Sequence, residues 1–206
     1  MKQNFEYRKA ALELLKGNWS SVIVISLFMF ILECIAQTSF AFFIPAEYNG
    51  ITTLVANLLL FFPLIYVLKI HLLSLSREDK KIVFSEYLTN LKKKYSRAVP
   101  VMGLICLYVM LWTILLIIPG IIKGYSYAMA SYISIDNEEL SAEECIQRSI
   151  KMMEGHKMQL FLLDLSFFGW VLLSILTLGI GFLWLTPYQE SAHIKFFVVL
   201  KCKVLI

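Results

Sequence analysis

The sequence predicts an all-α fold, a polytopic transmembrane helical bundle of about six spans in three hairpins. Of the 206 residues, 59% are apolar and 17% are charged, whereas soluble domains carry about 45–50% apolar and about 25% charged residues. The apolar residues form long blocks separated by short charged stretches. Because backbone groups find no water in a bilayer core, a spanning segment must be a helix of about 20 apolar residues. We therefore expect one integral membrane domain over residues 1–206.

Three blocks reach the length of a span outright, residues 160–185 form a fourth, and two weaker blocks carry polar residues among their apolar ones. Pro119-Gly120 and Gly179-Ile180-Gly181 are predicted to separate helices, since proline and glycine punctuate helical runs. The alternative for the last third is one continuous helix over 160–185, with the following polar segment on the outer side. The predicted spans are residues 19–43, 51–75, 98–118, 121–135, 160–176 and 182–200.

The distribution of basic residues predicts the orientation. Lys and Arg concentrate before residue 17, in 69–97, in 148–157 and at the C-terminal Lys201 and Lys203, whereas the joints 45–53 and 177–181 contain none. Basic short loops remain cytoplasmic, so both termini are expected inside. The first apolar run exceeds the 7–15 residues of a signal-peptide core, and we expect it to be a retained span.

A charged, amphipathic segment precedes each outgoing span, which suggests repeat-like units of about 5–75, 82–135 and 141–202. These segments are residues 5–16, 83–97 and the stretch from Ser141, which opens with a capping-box pattern. In the first, Ala10, Leu14 and Leu15 are assigned to the apolar face and Arg8 to the charged face. Such helices favour the interface of anionic membranes. The alternative is connecting helices packed on the bundle.

Ionisable residues at membrane depth are costly and usually face the protein interior or water. Most of them lie in the returning spans, which are therefore expected to pack together while the outgoing spans face lipid. Glu190 and His193 are three residues apart and are predicted to share a proton or a cation. The alternative is interhelical hydrogen bonding without a transport role. The candidate intramembrane polar site comprises Lys123, Tyr125, Tyr127, Glu190, His193 and Glu33.

Within this set, the region around Lys123 is the favoured site, because Pro119-Gly120 would free backbone carbonyls that are tolerated only against protein or water. Asp164 is expected to be solvated or to pair with Lys157. Glu33 lies deep in the first span as an isolated carboxylate.

Signatures of soluble enzymes are absent from the sequence, which has no P-loop, nucleophile elbow, HExxH or dinucleotide fingerprint. The four cysteines and three histidines show no ligand spacing, so neither a cofactor nor a metal is expected. These observations favour a non-enzymatic scaffold or accessory protein that interacts with membrane lipids, with another membrane protein or a second copy as further candidate partners. No nucleic-acid partner is expected. The alternative is a small carrier or channel for a lipid head group, ion or other small solute, lined by the polar returning helices.

Several motifs along the chain resemble those of the bacterial integral membrane proteins grouped as domain of unknown function 975. They begin with Arg8, Ala11 and Leu15 leading into Gly17-Asn18-Trp19, and continue with residues 118–123 followed by Tyr125 and Tyr127. The remaining motifs are Met152-Met153 and Gly155-His156-Lys157 within 141–170, then 178–181 and 184–188.

This family is distantly similar to the membrane domain attached to some glycerophosphodiester phosphodiesterases. The resemblance implies a multi-pass protein of the bacterial inner, or cytoplasmic, membrane with no established activity, and it supplies no catalytic residues. After Lys195 the short apolar tail departs from the pattern of the family.

Overall fold

The computed structural model describes residues 2–78 and 81–204, and this part of the chain is helical without strands. The all-α prediction is therefore confirmed for it. The loop between the first two long helices contains a 3₁₀ turn, Ala46–Tyr48, and a π-helical segment, Asn57–Phe61, joins α3 to α4. The helices are α1 Lys2–Leu15, α2 Trp19–Phe43, α3 Asn49–Ala56, α4 Phe62–Glu78, α5 Phe84–Leu115, α6 Ile117–Tyr127, α7 Ala130–Asp136, α8 Ala142–Met152, α9 Lys157–Leu165, α10 Phe168–Leu176 and α11 Phe182–Val204.

Four helical segments in the described part of the chain are long and apolar enough to cross a membrane. They are Trp19–Phe40, Thr52–Glu78, Phe84–Leu115 and Lys157–Leu176. The other two predicted spans do not meet this standard. Residues 121–135 are divided between α6 and α7, and α11 carries several charged residues along its length. Four apolar helices indicate a membrane location, and the count of six remains a prediction.

The second amphipathic segment is not a separate helix, because it continues into the following span as the 32-residue α5. The break after this span also lies earlier than predicted, at Leu116, which is extended with φ −159°. Pro119 instead falls in the first turn of α6, where a missing backbone N–H costs little. Gly120 lets the two helices meet, since a Cβ there would lie 2.4 Å from Thr113 Oγ1.

The last third of the chain is not one continuous helix over 160–185, so that alternative is wrong. α10 ends at Leu176 and α11 begins at Phe182. In the turn between them, Leu178 and Gly179 have φ values of 54° and 88°. The Gly179 N–H donates to the Ser174 carbonyl at 2.9 Å, which closes the end of α10.

Burial differs strongly among the apolar helices. In Thr52–Glu78, 61% of the most apolar window is buried, compared with 11% in Phe84–Leu115. α11 packs against α1, α2 and α4, so it lies with α4 at the centre of the bundle. α4 also packs against α7. α2, α5 and α10 expose large apolar side chains suited to lipid, including Phe30, Ile35, Leu111, Ile114, Leu172 and Ile175.

The apolar faces of α1 and α8 are covered largely by protein, as the connecting-helix alternative proposed. α1 lies along α11 and buries Tyr7, Ala11 and Leu15, while Phe5 and Leu12 remain exposed. The assignment of Arg8 to the charged face is wrong, because its spacing from residues 11 and 15 turns it towards the bundle.

The predicted capping box at the start of α8 is confirmed. Ser141 Oγ accepts the Glu144 N–H at 3.2 Å, and Glu144 Oε2 accepts the Ser141 N–H at 2.8 Å. Two helix-terminal donors are satisfied in this way. α8 then buries Cys145, Ile146 and Met152 against α7, α5 and α6.

Candidate functional site

The polar residues of α11 face different neighbours. Glu190 accepts a hydrogen bond from the Tyr132 hydroxyl of α7 at 2.8 Å and lies 3.6 Å from Lys69 Nζ of α4. Lys69 also donates to Ser131 Oγ at 3.3 Å and sits 4.8 Å from the centre of the Tyr132 ring. The carboxylate and ammonium side chains are only 17% and 11% exposed. Lys69 and Glu190 therefore form a largely buried ion pair where α4, α7 and α11 meet.

A second cluster forms around Asp164 of α9. The His193 Nε2 lies 2.6 Å from Asp164 Oδ1, and Gln189 Nε2 donates to the same oxygen at 3.2 Å. Tyr125 of α6 lines the same pocket as this carboxylate, and its ring packs edge-on against Phe161 at 5.8 Å. Residues of two helices, α6 and α11, therefore lie around the carboxylate of a third, α9.

Glu190 has Lys69 and Tyr132 as its partners rather than His193, and Asp164 has His193 rather than Lys157. Residues three apart on a helix are separated by about 60° around its axis. Because α11 is surrounded by other helices, this angle is enough to direct Glu190 to α4 and α7 but His193 to α9. Asp164 faces inward, where the His193 ring lies at hydrogen-bond distance.

The Asp164–His193 pair borders a cavity of about 350 Å³ between α5, α6, α9 and α11. Its walls are otherwise largely apolar, and Gly120 and Gly124 of α6 line it opposite Val109 and Thr113 of α5. The volume lies in the range of small-molecule sites. A carboxylate–imidazole pair at hydrogen-bond distance can hold or pass a proton. This is the candidate functional site.

Lys123 does not join this site. Its Nζ lies 4.8 Å from the Trp112 ring centre of α5, a cation–π contact. Tyr127 is buried nearby, with its ring 6.0 Å from that of Tyr108. The hypothesis that Lys123 lines a common path with Glu190 and His193 is not supported by this geometry, because Lys123 contacts Trp112 and is not among the described residues that line the cavity.

Glu33 lies in a separate cavity of about 260 Å³ beside α2. Its Oε1 accepts a hydrogen bond from Gln37 at 2.7 Å, but Oε2 is buried without a partner among the described residues. Ser26, two turns earlier on the same helix, lines this cavity too, and its Oγ is likewise buried without a partner in the described part. Such orphan groups are costly in an apolar setting.

A third charged cluster lies where α4, α7 and α11 end. Arg77 holds Asp136 with two hydrogen bonds of 2.7 and 2.8 Å, and Lys201 Nζ donates to Asp136 Oδ2 at 2.7 Å. Burial disfavours ionisation of Asp136, but the bonds and charges of Arg77 and Lys201 outweigh it and lower the pKa of the carboxyl. Close by, Arg97 donates to the Ser134, Asn137 and Leu140 carbonyls.

Sequence reasoning missed several of these partners. The Gln189–His193 spacing of four indicates a shared helix face, which could have suggested a common acceptor. Arg8, Ala11 and Leu15 have spacings of three and four, which could have placed Arg8 on the buried face. Asp136 and its two cations are 59 and 65 residues apart in the chain, so no local pattern could join them.

In the described part of the chain, no group of three or more His, Cys, Asp or Glu is arranged to hold a metal.

The comparisons with known proteins bear on the second half of the chain. No curated protein and no solved structure matches the chain. Residues 92–203, more than half of the 206, match the family described as protein of unknown function DUF975. This range includes α6 to α10, most of α5 and nearly all of α11, hence Asp164, Glu190 and His193. The resemblance drawn from the sequence motifs is confirmed, and the chain belongs to the DUF975 family.

Proposed function

We propose that this chain is a non-enzymatic, multi-pass protein of the bacterial cytoplasmic membrane that interacts with lipids as a scaffold or accessory subunit. The observation that carries the proposal is the pairing of its deep ionisable side chains with one another. Lys69 with Glu190 and Asp164 with His193 join different helices. A structural bundle uses such contacts to hold helices together, whereas a carrier needs groups that exchange partners.

In this proposal the chain has six spans and both termini face the cytoplasm. Support comes from the basic ends of α4 and α11, which meet at Asp136, and from the uncharged turn 177–181 at the opposite end of α11. α11 has 23 residues, and a helix of that length can extend about 34 Å, which is sufficient for a bilayer core. Its buried polar residues face protein partners, so they do not prevent it from crossing.

Cysteine accessibility in intact cells tests this arrangement. Single cysteines at residues 49, 137, 178 and 203 are introduced after the four native cysteines are replaced. Outside labelling at 49 and 178 is expected, with 137 and 203 labelled only after permeabilisation. Labelling of 203 from outside would overturn the six-span arrangement.

Lipid interaction is tested separately with protein stripped of lipid in mild detergent. Re-addition of bacterial lipid should raise the thermal unfolding midpoint, because lipid bound to the folded state stabilises it by mass action. The control is an equal amount of detergent. An unchanged midpoint at saturating lipid would contradict the proposed lipid-interacting role.

The second candidate is a small carrier, and the Asp164–His193 pair beside the 350 Å³ cavity favours it. A carrier would move protons or a small solute through this pair. Vesicles containing the protein and a pH-sensitive dye report such movement. Asp164→Asn should abolish a wild-type signal if the carrier role is correct, and Glu139→Gln, at an exposed position, is the matched control. No flux above empty vesicles would favour the scaffold role.

A further inference from the structure

Arg8 is held at the junction of α1, α9 and α11. Its Nε donates to the Tyr188 hydroxyl and one terminal nitrogen donates to the Ser166 carbonyl, both at 3.3 Å. The guanidinium carbon lies 5.2 Å from the centre of the Phe167 ring. These contacts fix the position of the cation but use only part of its five N–H donors.

Arg8 has no carboxylate partner among the described residues, in contrast to Lys69, Arg77 and Lys201. Lys69 pairs with Glu190, while Arg77 and Lys201 pair with Asp136. An arginine without an anion retains the capacity to form strong, charge-assisted hydrogen bonds with a phosphate.

The cation opens onto a groove of about 400 Å³ between α1, α2, α10 and α11. The groove runs from Tyr188 towards Gly181, about 10 Å along α11. No acidic side chain is among the described residues that line it. Its walls are mainly apolar and include the tryptophans Trp19, Trp170 and Trp184 together with Leu12, Leu173 and Leu185.

A single cation at one end of an otherwise apolar groove matches the two ends of an anionic lipid. The phosphate would meet the free donors of Arg8, and an acyl chain would lie between Trp170 and Trp184. The exposed Leu12 and Phe5 on α1 would contact the surrounding bilayer. We propose that this groove binds one anionic phospholipid of the phosphatidylglycerol type, an inference that rests on the proposed lipid-interacting function.

The tryptophans provide the test, because bromine on a lipid acyl chain quenches nearby indole fluorescence. The chain has four tryptophans, and the one outside the groove is Trp112. Trp112→Phe therefore confines the signal to the groove. This protein is reconstituted in phosphatidylcholine vesicles with a minor fraction of brominated phosphatidylglycerol, and separately with the same fraction of brominated phosphatidylcholine.

Phosphatidylglycerol is expected to quench more strongly, with a preference of about fivefold, equivalent to about 1 kcal/mol for one basic residue. Arg8→Gln should bring quenching by the two lipids to the same level, whereas Arg8→Lys should retain most of the preference. Lys9→Gln removes the same charge from an exposed neighbour and should leave the preference unchanged.

Equal quenching by both lipids in the otherwise wild-type protein would overturn the site, even if Arg8→Gln failed to fold. A preference that persists in Arg8→Gln, or that falls as much in Lys9→Gln, would also overturn it, since general attraction to the basic N-terminal helix would then be the cause. The proposed lipid-interacting function is tested separately by the thermal unfolding midpoint. If lipid raises the midpoint, that function is supported even when the groove site is overturned. If lipid leaves the midpoint unchanged, the function itself is contradicted.

Discussion

Replacing Asp136 by Asn removes the charge on which Arg77 and Lys201 converge, although the side chain keeps nearly the same shape. Only 4% of the Asp136 side chain is exposed, and it receives three hydrogen bonds of 2.7 to 2.8 Å from the two cations. Removing one partner of a buried pair typically costs about 3–5 kcal/mol. The Arg77 and Lys201 side chains are 38% and 39% exposed, so water can solvate them once the carboxylate is gone. We therefore expect the free energy of unfolding to fall by less, about 2–3 kcal/mol.

The effect should depend on pH in a defined direction. The pKa of Asp136 is lowered in the folded protein from its ordinary value of 3.8. A lowered carboxyl pKa contributes stability that is complete above the unfolded-state value and is lost as the pH falls through the folded-state value. The difference between wild type and Asp136→Asn should therefore be full at neutral pH and narrow below about 3.8.

Equilibrium unfolding in mixed micelles, followed by tryptophan fluorescence, measures the change. The matched control is Glu139→Gln, which neutralises an exposed carboxylate three residues away and should change stability by less than about 0.5 kcal/mol. If Asp136→Asn unfolds within that margin of wild type at neutral pH, the cluster does not stabilise the ends of α4, α7 and α11, and the reasoning is refuted.

Three further substitutions test the interior. Glu33→Leu should stabilise the fold by about 1 kcal/mol, because the orphan Oε2 disappears, and a lower unfolding midpoint would mean that Glu33 has an essential polar partner. Lys69→Met should destabilise more than the double variant Lys69→Met/Glu190→Gln in the same unfolding assay, since the single change leaves a buried carboxylate unpaired. Gly120→Ala should lower the midpoint by separating α5 from α6, because its Cβ would lie 2.8 Å from Thr113 Cα, and unchanged stability would contradict that contact.

Much of the fold could be predicted because hydrophobic length and helix signals are local. The run from Trp19 is long and apolar enough for a span, and it forms α2. The Ser141 capping box is a four-residue pattern, and it begins α8 as expected. The sequence predicts a helix break at Pro119, whereas the structure has it three residues earlier, at Leu116. A proline is tolerated in the first turn of a helix, so it marks the start of a helix as readily as the end of one.

The partners within the candidate site could not be predicted in the same way. Glu190 and His193 are neighbours on one helix, but their partners belong to different helices, with Lys69 on α4 and Asp164 on α9. Which helix lies against each side of α11 depends on the packing of all the others. A spacing rule reports that two side chains share a region of a helix, and it carries no information about what faces them.

The sequence by itself determined that this chain is helical, that it contains segments able to cross a membrane, and that its motifs place it in the DUF975 family. These properties depend on composition and short-range pattern, because backbone hydrogen bonds inside lipid must be satisfied within each helix. The tertiary structure alone decided that Asp136 binds two cations, that Asp164 holds His193, and that Arg8 reaches a tryptophan-lined groove. Those contacts join residues 29 to 180 positions apart, and only the packing of whole helices brings such residues within hydrogen-bond distance.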